Sequence, residues 1–254
     1  MSLPPEARVI FCNTGKEEEA TLEFVRDCAA NWNVYVTWLE YIPVGGPDGK
    51  QWFKEVTFET ASRNGEPFEA VIKHYGMLPN PRNKSCTQAL KIRTFSRYLK
   101  SLGWTDWDSF IGIRYDEQNR VRKLRPDYKG ETPYCPLSDA KIGITEIDEF
   151  WSKQPFKLGL PTYKGKTLAG NCDLCYLKPL SQTLSLIREK PERAIWWANQ
   201  EAYVASLPAA KESSGTMALF RIDRPTYASM ASFAEEQSDM FGDDEEQLSC
   251  FCGD

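Results

Sequence analysis

The chain of 254 residues predicts an α/β protein with a parallel sheet, followed by a helical part that carries closely spaced cysteines. Three observations lead there. An apolar, β-branched run (ARVIFCN, Ala7–Asn13) precedes a segment with helical spacing, and a second apolar run (NVYVTWLEYI, Asn33–Ile42) follows it. Such a strand–helix–strand unit joins parallel neighbours, because a crossover of this length returns the chain to the same edge. Beyond Pro161 the periodicity is helical, and that stretch carries Cys172 and Cys175 and, at the chain end, Cys250 and Cys252.

In order along the chain, "TG" ends the first strand, and KEEEATLEFVRDCAANW places Leu22, Val25 and Cys28 on one helical face. Its first turn is acidic, as the helix dipole favours. After the second strand, VGGPDGK reads as a loop, WFKEVTFETAS as a strand and GEPFEAVIKHYGMLP as a short helix. CTQALKIRTFSRYLKSLGW is a helix with Leu90, Phe95, Tyr98 and Leu99 inward, and DSFIGIRYDE is a strand running into a polar turn. GITEIDEFWSKQ is a helix with its N-cap at Thr145 and an apolar stripe of Ile147, Phe150 and Trp151. SQTLSLIREKPERAIWWANQEAYVASL is helical with a break near Pro191, and the part after Pro208 is polar and acidic, with EEQSDMFGDDEEQ loosely held up to the final cysteine pair. The expected organisation is an α/β domain over residues 1–165 and a helical region with CxxC and CxC over residues 166–254.

Composition is that of an ordinary globular protein, with 41% apolar and 26% charged residues. A net charge of −5 gives no bulk attraction to nucleic acid or to anionic membrane. No apolar run approaches the roughly 20 residues that cross a bilayer. The start, MSLPPEARVIF, is not a signal peptide, so the chain reads as cytoplasmic. In that reducing compartment eight cysteines point to metal ligands or redox groups where they lie close together. Cys12, Cys28 and Cys135 read instead as small apolar residues. There is one histidine, His74, with no metal spacing around it, and neither a Walker A motif nor GxGxxG.

Three polar clusters fall at or near strand ends, where open α/β sheets bind ligands, two after strands and one near the start of a helix. NTGKE (Asn13–Glu17) offers a turn and a helix N-terminus to an anion. GIRYDEQNRVRKL holds Arg114, Arg120, Arg122 and Lys123, and RNKSCTQALKIR holds Arg82, Lys84, Lys91 and Arg93. They suit either a pocket for a small polyanion or solvated surface charge. Cys172 and Cys175 could share one ion, with Cys250 and Cys252 closing a four-thiolate shell around zinc or an iron–sulfur cluster. A thiol–disulfide exchange pair and unrelated structural cysteines remain the alternatives. A zinc-stapled nucleic-acid protein is disfavoured by the charge and by the lack of an aromatic–basic stripe.

VIFCNTGKEEEATLEFV, SCTQALKIRTFSRYL, GIRYDEQNRVRKL, ITEIDEFWSKQPFKLGLP and GNCDLCYLKP occur in an order that resembles phosphoadenosine phosphosulfate (PAPS) reductase-like proteins of the phage and prophage type, within the adenine nucleotide α-hydrolase (PP-loop) superfamily. The resemblance covers roughly Ala7 to Tyr203. It implies a doubly wound, mostly parallel sheet that binds an adenine nucleotide, and an oxidoreductase acting on an adenylylated sulfur compound with a thioredoxin-type reductant. By position, it implies that Thr14, Gly15, Thr87, Lys91, Arg114, Asp116, Glu117 and Arg120 bind the nucleotide. Cys172 and Cys175, with Cys250 and Cys252, would hold a 4Fe–4S cluster or zinc, and Cys86 matches one position of a related cluster motif. Cys250 or Cys252 would supply the catalytic thiol, although SCFCGD is not the family's terminal motif.

A second departure is larger. The family's Ser-Gly-Gly loop, which follows its central first strand, has no counterpart in this sequence. Without that strand, both neighbours would expose unpaired backbone groups, each costing about 1–3 kcal/mol if buried. The expectation is a late-start form, a rearranged sheet, or a separate chain that supplies the PP-loop segment. The same gap keeps open a catalytically incomplete nucleotide-binding module or one half of a split pyrophosphatase or sulfurtransferase.

Overall fold

A computed structural model describes residues 3–43, 52–124, 130–163, 166–212 and 216–236. The first half contains β1 (Val9–Asn13), α1 (Glu19–Asn31), β2 (Val36–Tyr41), β3 (Phe53–Val56) and α2 (Glu66–Tyr75). A π-helix (Thr87–Arg93) runs directly into α3 (Thr94–Ser101), followed by β4 (Trp107–Phe110), α4 (Gln118–Val121), β5 (Glu131–Tyr134), α5 (Pro136–Asp139) and α6 (Ile144–Ser152). The remainder is β6 (Thr162–Tyr163), β7 (Lys166–Thr167), α7 (Leu180–Glu189), α8 (Arg193–Ser206), α9 (Pro208–Glu212) and α10 (Tyr227–Glu236).

The architecture is mixed α/β with small sheets. β1 and β2 are parallel, from Val9 opposite Val36 to Asn13 opposite Glu40, and β3 adds antiparallel to the far side of β2. β4 and β5 form a separate parallel pair, and β6 with β7 a two-residue antiparallel ladder. Among the described residues no strand pairs with the outer edge of β1. The strand–helix–strand unit read from the sequence is therefore present as parallel β1–α1–β2.

Alternation along β1 and β2 explains how this sheet is covered. Phe11, Val36 and Trp38 pack on one side with Leu22 and Val25 of α1. Ile10, Cys12 and Leu39 pack on the other with Phe95, Tyr98 and Leu99 of α3 and with Trp107 of β4. A period of two thus gives helices to both faces, which is the usual condition for parallel strands. The largest core cluster lies beyond the end of β2, where Phe68, Val71 and Ile72 of α2 meet Leu90, the CxxC loop, and α7, α8 and α10.

The structure corrects three local expectations. The long helix from Cys86 opens as a π-helix, and there the Thr94 hydroxyl donates to the Ala89 carbonyl five residues back at 2.8 Å. Helix α6 begins at Ile144 rather than after Thr145. Glu146 Oε2 accepts the Gly143 N–H at 2.8 Å, so a reaching acid, not the Thr145 hydroxyl, satisfies that donor. The part after Pro208, read as polar and acidic, contains a helix with buried apolar anchors. Tyr227 and Met230 of α10 are buried, and the Tyr227 ring stacks on Trp197 at 5.2 Å. The local polar composition hid these anchors. The loop VGGPDGK and the stretch from residue 237 onward fall outside the described residues.

Glu201 of α8 holds α10 in place by accepting the Tyr227 N–H at 2.8 Å. Burial raises its carboxyl from 4.5 to about 7, against the opposing backbone hydrogen bonds from Tyr227 and Phe220. The folded state therefore binds a proton that the unfolded chain has already lost between these values. Stability should fall as pH rises from about 4.5 to about 7 and be flat in this group above that. Urea denaturation across this range should show the slope in the wild type and lose it in Glu201→Gln.

Candidate active site at the carboxyl end of β1

The turn after β1 is saturated with its own hydrogen bonds. Thr14 N–H and its hydroxyl both donate to Glu17 Oε2, at 3.0 and 2.8 Å. Gly15 N–H donates to Asn13 Oδ1 at 3.1 Å, and Lys16 N–H to Thr14 Oγ1 at 3.2 Å. The anion that this turn holds is thus the protein's own Glu17 carboxylate. Below it, Asn13 Nδ2 donates to Glu40 Oε1 at 2.6 Å, and Glu40, wholly buried, is further bound by Ser62 N–H, Ser62 Oγ and Lys54 Nζ. A buried carboxylate needs such partners.

The CxxC loop docks directly on this turn. Glu17 and Cys172 form an antiparallel bridge, and Asp173 N–H donates to the Lys16 carbonyl at 2.7 Å. Lys16 Nζ lies 2.9 Å from Asp173 Oδ2 and 5.1 Å from the centre of the Trp196 ring. The other Asp173 oxygen accepts from Trp197 Nε1 at 2.8 Å and from Leu174 N–H at 2.7 Å. Every acceptor position that matters on Asp173 is used, which is what lets a charged pair stay buried. Lys178, only 1% exposed, closes the loop through Nζ to the Gly170 carbonyl and meets no carboxylate among the described residues.

This docking gathers much of what the sequence singled out. Cys172 Sγ is 3.5 Å from Thr14 Oγ1, and Cys86 Sγ is 3.4 Å from the hydroxyl of Tyr176, the residue after Cys175. Cys12 Sγ donates to the Lys91 carbonyl at 3.8 Å, tying the π-helix with Thr87 and Lys91 to β1. Burial pushes the Cys12 thiol up to about 12, so it stays protonated. Cys28 is raised to about 11 and Cys135 is raised, both chiefly by burial. None of these three is a thiolate at neutral pH.

Arg114, Asp116, Glu117 and Arg120 form a cluster of their own. Arg114 Nε lies 3.2 Å from Asp116 Oδ1 and 3.7 Å from Glu117 Oε2, and Arg120 Nη1 lies 2.5 Å from Glu117 Oε1. Burial raises the Asp116 carboxyl, but the Arg114 guanidinium and backbone hydrogen bonds from Asp116 and Ile144 together outweigh it and hold the carboxyl below its ordinary value. Tyr115 N–H to the Ile142 carbonyl anchors this turn to the segment before α6. Among the described residues no hydrogen bond or ion pair joins it to Thr14, Gly15 or Lys91.

For a metal, the chemistry is half present. Cys172 and Cys175 are 9% and 7% exposed and belong to one turn, closed by Cys175 N–H to the Cys172 carbonyl at 3.1 Å. Two such thiols suit a thiophilic ion. Among the described residues no group of three or more His, Cys, Asp or Glu side chains is arranged to hold a metal. Cys250 and Cys252 lie outside the described residues. The residues that spacing missed are Asp173, Lys178 and Trp197. An acid between the two cysteines of CxxC was the one available signal.

The chain is similar to the uncharacterized nin region protein ORF290 of Escherichia phage lambda, with 30% identity over 185 residues that cover 71% of this chain and 59% of that protein. The match thus spans less than two thirds of the relative's length. It is a similarity to a phage protein, and agrees with the motif resemblance to that extent. No protein-family model matches the chain. No solved structure matches it. Among the described residues no helix is long and apolar enough to cross a membrane.

Two substitutions test the docking. Asp173→Ala leaves the Lys16 ammonium buried without its partner and should cost about 3–5 kcal/mol in denaturant unfolding. Pairing it with Lys16→Met should recover most of that loss. Gly65 (φ +84) faces the same turn, and a Cβ there would lie 2.6 Å from the Trp196 ring. Gly65→Ala should therefore destabilise by at least about 1–2 kcal/mol.

Proposed function

We propose that this chain binds an adenine nucleotide or an adenylylated sulfur compound at the carboxyl end of β1 and carries out PAPS-reductase-like thiol chemistry there. The observation that carries the reading is the 3.5 Å approach of Cys172 Sγ to Thr14 Oγ1. It places the CxxC loop over the end of a parallel strand, where α/β proteins bind their ligands. Lys91 and Thr87, on the π-helix tied to Cys12, would face the anionic part of the ligand; π-helical segments often mark functional sites. Arg114, with Arg120, would meet a second anionic group after rearrangement of its ion pairs.

In the reductive reaction a cysteine thiolate, Cys250 or Cys252, attacks the sulfonyl sulfur. The S–O bond to the nucleotide phosphate breaks and the nucleotide leaves with that electron pair. The resulting S-sulfo-cysteine is attacked by a thiol of a thioredoxin-type dithiol, releasing sulfite and leaving a mixed disulfide that the second thiol resolves. In the alternative assignment Cys172, Cys175, Cys250 and Cys252, with Cys86 adjoining, would hold an iron–sulfur cluster or zinc, and a tail thiolate bound there would be a ligand instead of the nucleophile. Two features favour a second reading, an incomplete nucleotide-binding module or half of a split enzyme. The two parallel ladders are separate, and the turn after β1 already satisfies its own amides. A further strand of a doubly wound sheet, with its PP-loop, would then come from another chain.

Anaerobically purified full-length chain, given adenylyl sulfate or phosphoadenylyl sulfate and a dithiol, should release sulfite, and Cys250→Ser or Cys252→Ser should abolish release. Lys91→Ala should weaken nucleotide binding about tenfold, the equivalent of one charge-assisted hydrogen bond. Nucleotide binding without sulfite supports the module, and absence of both binding and turnover overturns both readings. Metal analysis with a visible spectrum separates a coloured cluster from colourless stoichiometric zinc.

A further inference from the structure

A second cationic cluster lies near the carboxyl end of β2, beginning two residues beyond Lys91 on the same π-helix. Arg93 closes the π-helix and Arg97 follows one turn later in α3. Two like charges at this spacing on a helix repel each other. Neither guanidinium has a carboxylate partner among the described residues. Arg93 Nη1 donates instead to the Tyr75 hydroxyl at 2.7 Å, and the Arg97 guanidinium lies over the Trp52 ring, 4.0 Å from its centre. His74 completes the aromatic wall, 5.7 Å from Trp52 and 4.9 Å from Tyr75 between ring centres.

The second, independent observation is Tyr41, the last residue of β2. It is 3% exposed, and its buried hydroxyl has no hydrogen-bond partner among the described residues. Such an unmade bond costs about 1–3 kcal/mol unless something fills it. The Tyr41 ring lies 6.5 Å from the Trp52 ring that the Arg97 guanidinium covers, which brings this residue to the aromatic wall of the cationic pair. Burial, and then the like charge of Arg93, lower the pKa of Arg97, with only tyrosine hydroxyls acting in the other direction. The site is open on one side, because Arg93, His74 and Tyr75 are exposed.

We propose that Arg93, Arg97, Tyr41 and Tyr75 form a binding site for a tetrahedral oxyanion, the phosphate or sulfate group of a small ligand. Two guanidiniums supply paired N–H donors that match such an oxyanion. The Tyr41 hydroxyl supplies a third donor from below. A bound anion relieves the Arg93–Arg97 repulsion and satisfies the orphaned hydroxyl together. Trp52 and Tyr75 provide an apolar wall for whatever carries the anionic group. This site stands independently of the sulfur chemistry at β1, and holds whether or not sulfite is released.

Titration of the full chain with inorganic phosphate, inorganic sulfate and AMP, followed by calorimetry, tests it. Saturable binding of phosphate or sulfate is expected, weakened at least about tenfold in Arg93→Gln and in Arg97→Gln, each of which removes a charge-assisted hydrogen bond. Tyr41→Phe should weaken it a few-fold, and Arg97→Lys should bind less well than wild type because the planar fork is lost. Arg93 is exposed, so its variant reports even where an Arg97 variant unfolds, and circular dichroism verifies the fold of each. AMP binding more tightly than phosphate identifies a phosphomonoester ligand, whereas equal affinity identifies the free anion. Absence of saturable binding of all three, or equal affinity in wild type and Arg93→Gln, overturns the proposal.

Discussion

The buried Lys16–Asp173 pair is the interaction on which the rest of this structure depends. It joins the turn after the first strand to a loop more than 150 positions later, and Trp197 and the Asp173-to-Lys16 backbone hydrogen bond lock the contact. A buried ion pair adds little net stability over an apolar substitute, but a mismatched alternative leaves an uncompensated charge in low dielectric. The pair therefore selects one docking geometry for the CxxC loop more than it strengthens it. Trp196, Trp197 and Phe68 surround it, and their rings, about 5–6 Å apart, supply the apolar burial that the charges do not.

The consequence reaches the sheet. β1 is hydrogen-bonded by a strand on one side only among the described residues, yet its two faces are covered by α1 and α3. Parallel strands are seldom stable as short isolated ladders, and this protein contains two of them. What holds them is packing across the faces: Trp107 at the start of β4 shares a cluster with Ile10, Cys12 and Leu39. Hydrogen bonding along the sheet is interrupted while the hydrophobic layer beneath it is not.

Several cations are answered locally by carboxylates. Lys16 meets Asp173, Lys54 meets Glu40, and Arg114 and Arg120 meet Asp116 and Glu117. The exceptions stand out against that background. Among the described residues Lys178, buried beside the CxxC loop, meets a carbonyl and no carboxylate, Arg93 bonds the Tyr75 hydroxyl, and Arg97 lies over the Trp52 ring.

Much of the frame was readable before any coordinates. The β1–α1–β2 unit, the inward set Leu22, Leu90, Tyr98 and Leu99, and the CxxC loop as a focus all follow from short-range periodicity and spacing, which are properties of neighbouring residues. The π-helix was not readable, because a side-chain bond from Thr94 to the Ala89 carbonyl decides it against an α-helical alternative. Neither was the self-satisfied state of the Thr14 turn, since Glu17 is both a helix-entry acid and, once folded, the turn's own anion. The partnership of Lys16 with Asp173, of Arg93 with Tyr75 and of Arg97 with Trp52 depends on how distant segments cross in space. Local pattern carries no record of such pairings, because packing and the demand to satisfy buried polar groups choose them only when the whole chain is folded.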